Sequence, residues 1–120
     1  MTVKHSEAGK LESIFDDCRT DSRAALIGYL PTGYPDVPTS VKGMTALVES
    51  GCDIIEVGVP YSDPGMDGPT IAKATELALH GGVRVRDTLA AVEAISAAGG
   101  HAVVMTYWNP VLRYGVDAFA

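Results

Sequence analysis

Apolar positions along the 120-residue chain switch repeatedly between a helical and a strand-like period, and the switches outline its elements. Leu11, Ile14, Phe15 and Cys18 fall at i, i+3, i+4 and i+7, which predicts one face of an N-terminal amphipathic helix. Ala24 to Leu30 is a short apolar run ended by Pro31-Thr32-Gly33-Tyr34-Pro35, so it reads as a strand entering a loop. Val41, Met44, Leu47 and Val48 mark a second helix, stopped by Gly51 in the manner of a C-terminal cap. Cys52 to Val59 is the next strand. Pro69 suits a first helical turn, and Ile71, Thr75 and Ala78 carry one face as far as Gly81-Gly82. A further helix runs from about Asp87 through Leu89, Val92 and Ile95 to Gly99-Gly100. His101 to Tyr107 is a third strand, Asn109-Pro110 breaks it, and Val116 to Ala120 begins another helical segment.

Nearly all-apolar strands separated by helices predict an α/β fold whose parallel sheet is buried on both faces. Two architectures fit, a doubly wound open sheet and a (β/α)8 barrel. In both, ligands gather at the C-terminal ends of the strands. Tyr29, Glu56 and Tyr107 stand near those ends, one on each predicted strand.

Composition narrows the function classes. The length is that of one ordinary domain, with 47% hydrophobic and 20% charged residues. A net charge of −6, with nine scattered basic residues, argues against a nucleic-acid surface, which needs clustered Lys and Arg. A small anionic ligand is compatible with that charge, because N–H groups at a helix N-terminus bind phosphate without a basic patch. No apolar stretch is long enough for a membrane span. Met1 to Lys10 is polar and lacks the apolar core of a secretory signal, so the cytoplasm is the expected compartment.

Cys18 and Cys52 have no CxxC or Cys/His metal spacing and read as reduced, partly buried thiols. No GxGxxG, Walker A, HExxH, EF-hand or GxSxG pattern occurs. His5, His80 and His101 fall at a terminus, a helix end and a strand start, where surface or capping roles are expected.

The chemistry concentrates in Ile54 to Thr70. Glu56 interrupts the apolar run Ile54-Ile55-Glu56-Val57-Gly58-Val59, and a carboxylate inside a buried strand is costly unless paired or used. Partial desolvation there would raise its pKa and suit it to proton transfer. Asp67, on a hydrated loop, would stay ionised, and two carboxylates in unlike environments can divide acid and base roles. Simpler readings stand beside these. Glu56 could form an ion pair, Asp67 could cap the helix opened by Pro69, and Asp63 could serve only the turn before Pro64. Tyr29 and Tyr107 could be packing residues.

The run Ile55-Glu56-Val57-Gly58-Val59-Pro60-Tyr61-Ser62-Asp63-Pro64-Gly65-Met66-Asp67-Gly68-Pro69-Thr70 is similar to the signature of the tryptophan synthase α chain family. So are Gly28-Tyr29-Leu30-Pro31-Thr32-Gly33-Tyr34-Pro35 and Met105-Thr106-Tyr107-Trp108-Asn109-Pro110, in the right order and spacing. The resemblance runs from about Leu11 to Ala120. One departure is Gly65-Met66, where many relatives carry a bulky aliphatic and then a small residue.

The resemblance implies a (β/α)8 TIM barrel lyase that cleaves indole-3-glycerol phosphate by a retro-aldol reaction into indole and glyceraldehyde 3-phosphate. It implies Glu56 as general acid/base and Asp67 as the carboxylate on the indole N–H, with Tyr29, Met105 and Tyr107 lining the indole pocket. It further implies that Pro60, Asp63 and Asn109 meet a β subunit, in a heterotetramer of two α and two β chains. Pyridoxal phosphate would belong to that partner, and this chain would carry no cofactor or metal. A barrel of this type needs about 250 residues. Residues 1–120 are therefore expected to be the N-terminal part of a single barrel domain, its first three β/α units, with phosphate-binding loops beyond Ala120 and little activity alone. Two other readings are a different phosphate-sugar barrel enzyme and a non-catalytic module that only contacts the β subunit.

Overall fold

The computed structural model describes residues 8–120, so the reading of His5 lies outside the described residues. The elements run α1 (Ala8–Thr20), β1 (Ile27–Pro31), α2 (Val37–Glu49), β2 (Ile54–Gly58), α3 (Pro69–His80), α4 (Val85–Ala97), β3 (Ala102–Met105), α5 (Trp108–Tyr114) and α6 (Val116–Phe119). The alternation expected from the periodicity is present. None of the described helices is long and apolar enough to cross a membrane.

Helix ends follow local chemistry. Asp36 caps α2 by accepting the Thr39 N–H at 2.8 Å, and Asp87 accepts the Arg84 N–H ahead of α4 at 2.7 Å. The α2 terminus closes with Gly51 N–H on the Val48 carbonyl and Cys52 N–H on the Leu47 carbonyl, 3.1 and 3.0 Å. Gly51 makes this possible at φ +105, a backbone region costly for side chains. The same paired closure ends α1, α3 and α4.

Several boundaries differ from the sequence expectation: β2 is trimmed from Cys52–Val59 to Ile54–Gly58, β3 from His101–Tyr107 to Ala102–Met105, and α4 starts at Val85. The first strand begins at Ile27 instead of Ala24, because Arg23 and the Leu26 N–H are both engaged by Asp53. The third strand ends before Asn109-Pro110, as expected, but those two residues lie in the first turn of a helix, α5, that the sequence did not mark. Pro110 is its third residue, where a backbone N–H would have had no partner within the helix.

The three strands form one parallel sheet in the order β1-β2-β3. Ile55 and Val57, both fully buried, pack with Met44 of α2 and with Ala91 and Ile95 of α4. Leu30, Leu47 and Ala102 complete that core. Burial on both faces was expected, but α2 and α4 cover only one. On the other, Tyr29, Glu56 and Val103 lie in register across the sheet, and Pro31, Gly58 and Met105 form the next row. Tyr29, Glu56, Val103 and Met105 all stay half-buried. In a closed barrel this second face would be the interior.

At the opposite strand ends, Arg23 donates two 2.9 Å hydrogen bonds to the Asp53 carboxylate, which also accepts the Leu26 N–H at 2.7 Å. The Asp53 side chain is 11% exposed. The Arg23 guanidinium first, and the Leu26 N–H second, hold its carboxyl down at about 2, against an ordinary 3.8. A depressed folded-state pKa contributes stability that is present above the unfolded value and lost as pH falls through the folded one. Urea midpoints are therefore expected to fall between pH 3.8 and about 2, and Asp53→Asn should flatten that part of the profile. An unchanged profile in the variant would contradict the assignment.

Candidate functional site

The face of the sheet left open by α2 and α4 holds the candidate site. Glu56 stands at the middle of β2, the central strand, with Tyr29 beside it on β1 and Val103 on β3. Its neighbours Ile55 and Val57 are drawn to the helical core, so the pleat turns the carboxylate to the other side. Glu56 is half-buried. The ion-pair reading finds no basic partner within salt-bridge distance among the described residues.

Tyr29 extends its ring over the next row. A methyl group at Gly58 would collide with the Tyr29 hydroxyl, so glycine there leaves the space the phenol occupies. Burial pushes the Tyr29 phenol up to about 12, and the Asp67 and Glu56 carboxylates and Tyr107 add to the rise, in that order. One phenol therefore senses both acids. Met105 ends β3 level with Gly58 and Pro31, two positions along the same face.

Asp67 reaches the site from the loop between β2 and α3. Turn bonds shape that loop, Gly65 N–H to the Asp63 carbonyl at 2.9 Å and Asp67 N–H to the Pro64 carbonyl at 3.2 Å. The capping role considered for Asp67 is not found. Gly68 occupies the cap position of α3 and no side chain caps it. Asp67 is instead half-buried and accepts the Tyr107 hydroxyl at 3.3 Å, while that hydroxyl accepts the Met66 N–H at 3.0 Å. Tyr107 immediately precedes α5, so its phenol links the β3–α5 junction to the end of the β2–α3 loop.

The residues considered for a partner surface lie together. Pro60, Asp63 and Asn109 line one groove of about 830 Å3, with Arg84, Arg86 and Arg113 around it. Asp63 is exposed and accepts the Ser62 hydroxyl at 3.1 Å, and its carbonyl takes part in the loop turn, in keeping with the turn reading. Asn109 donates through Nδ2 to the Tyr61 hydroxyl at 2.8 Å.

Sequence reasoning missed Tyr61. Its ring lies 5.3 Å from that of Tyr107, at an interplanar angle of 33°. Thr32 and Thr88 were missed too. Both are fully buried, and a 3.0 Å bond from the Thr88 hydroxyl to that of Thr32 ties the loop after β1 to α4. No local period marks either pair; a polar residue inside an otherwise apolar helix face was the only signal for Thr88. His80 and His101 are exposed, at the end of α3 and just before β3. Cys18 and Cys52 are free thiols, one buried and one half-buried. Among the described residues, no group of three or more His, Cys, Asp or Glu could hold a metal ion.

Comparison with known proteins adds to this geometry. The family model described as "Tryptophan synthase alpha chain" matches residues 15–120. The curated tryptophan synthase alpha chain of Mycolicibacterium paratuberculosis is 86% identical over all 120 residues, and that of Mycobacterium intracellulare 87%. The chain spans 44% of the length of each. Among solved structures, Mycobacterium tuberculosis tryptophan synthase superposes with a TM-score of 0.90 at 86% identity, over 91% of this chain and 42% of that one. Tryptophan synthase subunit alpha of Legionella pneumophila superposes with a TM-score of 0.84 at 31% identity, over 92% of this chain and 43% of that one.

Tyr29 lies in register with Glu56, and both the Asp67 and Glu56 charges bear on its phenol. The Tyr29 phenol is expected to ionise at about 12, pushed up first by burial and then by the Asp67 and Glu56 charges. Removing a carboxylate charge with Glu56→Gln should lower that value, read from ring-carbon NMR shifts during alkaline titration. A Tyr29 titration unaltered by Glu56→Gln would contradict the placement.

Proposed function

The chain belongs to the tryptophan synthase alpha chain family, and on that premise we propose that it carries the acid/base half of a carbon–carbon lyase site. The reaction is the retro-aldol cleavage of indole-3-glycerol phosphate to indole and glyceraldehyde 3-phosphate, a step of L-tryptophan biosynthesis in the cytoplasm. The observation that carries the reading is geometric: Glu56 lies in register with Tyr29 on the open face of the sheet, and the loop that follows the same strand returns Asp67 to the Tyr107 hydroxyl at 3.3 Å. Glu56 from the middle of β2 and Asp67 from the loop beyond its C-terminal end thus belong to the side of the sheet on which barrel enzymes hold substrate.

The chemistry needs an electron sink. Glu56 gives a proton to indole C3, which turns the ring into an iminium-like acceptor. Asp67 accepts a hydrogen bond from the indole N–H and stabilises the developing positive charge. Loss of the glycerol hydroxyl proton, assisted by Glu56, then drives cleavage of the C–C bond: its electrons return to the ring, and the carbinol carbon becomes the aldehyde. Tyr29, Met105 and Tyr107 form the apolar and aromatic wall for the indole. The Tyr107 hydroxyl keeps Asp67 oriented, because a carboxylate on a loop is useful only if held still. No cofactor or metal is assigned to this chain.

The same family reading assigns Pro60, Asp63 and Asn109 to contact with a β subunit, in an assembly of two α and two β chains. Indole would pass to that subunit's site, where pyridoxal phosphate resides. The common groove lined by these three residues supports treating them as one surface.

The test is indole release from indole-3-glycerol phosphate by the full-length barrel, meaning this chain continued to the length of its relatives. Glu56→Gln is expected to lower kcat by about 10²–10⁴-fold with little change in KM, and Asp67→Asn to lower it less. The 120-residue chain alone is expected to release indole far more slowly than the full-length protein, since binding energy from the remote phosphate supports the chemical step. A Glu56→Gln protein that works at the unsubstituted rate would sink the proposal.

A further inference from the structure

The β2–α3 loop that brings Asp67 to the site has little burial to fix it. Met66, one residue before the acid, is 85% exposed, and Gly65 and Gly68 have open space around them. Apart from the two turn bonds, the loop's end is held by Tyr107, whose hydroxyl accepts from the Met66 N–H and donates to Asp67. That places the question on what fixes Tyr107.

Tyr61 answers it. Its ring packs against the Tyr107 ring at 5.3 Å, within the range in which aromatic pairs attract beyond their simple burial. Its hydroxyl takes the Asn109 amide at 2.8 Å, two residues past Tyr107 on the first turn of α5. Tyr61 also lies near the start of the same loop that carries Asp67, three residues after β2 ends at Gly58. The loop is therefore tied to β3–α5 at both ends, by Tyr61 at its start and by Tyr107 at its finish, and the two ties are stacked on one another.

We propose that Tyr61 is a positioning residue, which holds Asp67 in reach of the reacting ring by fixing Tyr107. It acts through Tyr107 and Asn109, and its catalytic consequence rests on the lyase reading above. Losing it leaves the sheet intact and lets the loop carry Asp67 through a wider set of positions. A misplaced group lowers the rate of the chemical step more than it weakens binding.

The experiment compares Tyr61→Ala and Tyr61→Phe in the full-length barrel. Backbone 15N order parameters at Met66 and Asp67 should be near about 0.85 in the unsubstituted protein and drop below about 0.6 in Tyr61→Ala. Ile55, bonded to the His101 carbonyl at 2.8 Å in the central strand, serves as the unaffected reference. Indole release by Tyr61→Ala should show kcat down about tenfold with KM within about twofold. Tyr61→Phe keeps the ring pair and loses the Asn109 bond, so it should fall between the two in both measurements. Unchanged order at Met66 and Asp67 in Tyr61→Ala overturns the proposal, as does an unchanged kcat. Should Tyr61→Ala loosen Ile55 as well, Tyr61→Phe decides: reduced order at Met66 with Ile55 unaltered supports the tether, and no reduction overturns it. If the unsubstituted protein releases no indole, the lyase reading fails while the order parameters still decide whether Tyr61 holds the loop.

Discussion

Because successive side chains of a strand point to opposite faces, the burial of Ile55 and Val57 against Met44, Ala91 and Ile95 decides where Glu56 goes. Each of those apolar side chains gains about 1.5–3 kcal/mol on leaving water. A one-residue slip of β2 would expose both and drive a carboxylate into the helical core, at several kcal/mol more. The acid is thus placed by hydrophobic packing in which it takes no part. The parallel register extends the effect sideways, since the row that holds Glu56 also holds Tyr29 and Val103.

Burial governs the sheet, but polar tethers govern the loop. Parallel strands deliver all their C-terminal ends to one edge, which is where Tyr107 and the start of the β2–α3 loop meet. From there the position of Asp67 depends on one phenol and on the ring stacked against it. The two acids consequently differ in how they are held. Glu56 sits on the most deeply packed strand, whereas Asp67 rides on a segment whose tip is open to solvent. Glu56 is thus fixed by packing, and Asp67 by hydrogen bonds and the ring pair.

What could be read from the sequence divides along the same line. The apolar periods located all three strands and the four long helices, because those periods record the packing that forms the core. Glu56 stood out as an acid breaking such a period. The failures fall where a contact distant in sequence decides the outcome. Asp53 shortens β1 by engaging Arg23 and Leu26 across about thirty residues. The Tyr107 hydroxyl draws Asp67 away from capping α3, from forty residues off, and Tyr61 finds Asn109 at a similar remove. The helix α5 was missed for a local reason: Pro110 was read only as the end of a strand, although a proline is also tolerated in the first turn of a helix. The open face of the sheet escaped notice because its side chains are as apolar as those of the covered one, Glu56 excepted.

The proposed lyase function requires the indole ring to sit against Tyr29, Glu56, Asp67 and Tyr107. A crystal structure of the full-length barrel with a non-cleavable indole-3-glycerol phosphate analogue tests it most directly. The account predicts the ring between Tyr29 and Tyr107, its N–H on the Asp67 carboxylate and its C3 facing Glu56. An analogue seated elsewhere, for instance in the groove lined by Arg84, Arg86 and Arg113, with Glu56 and Asp67 untouched, would contradict it.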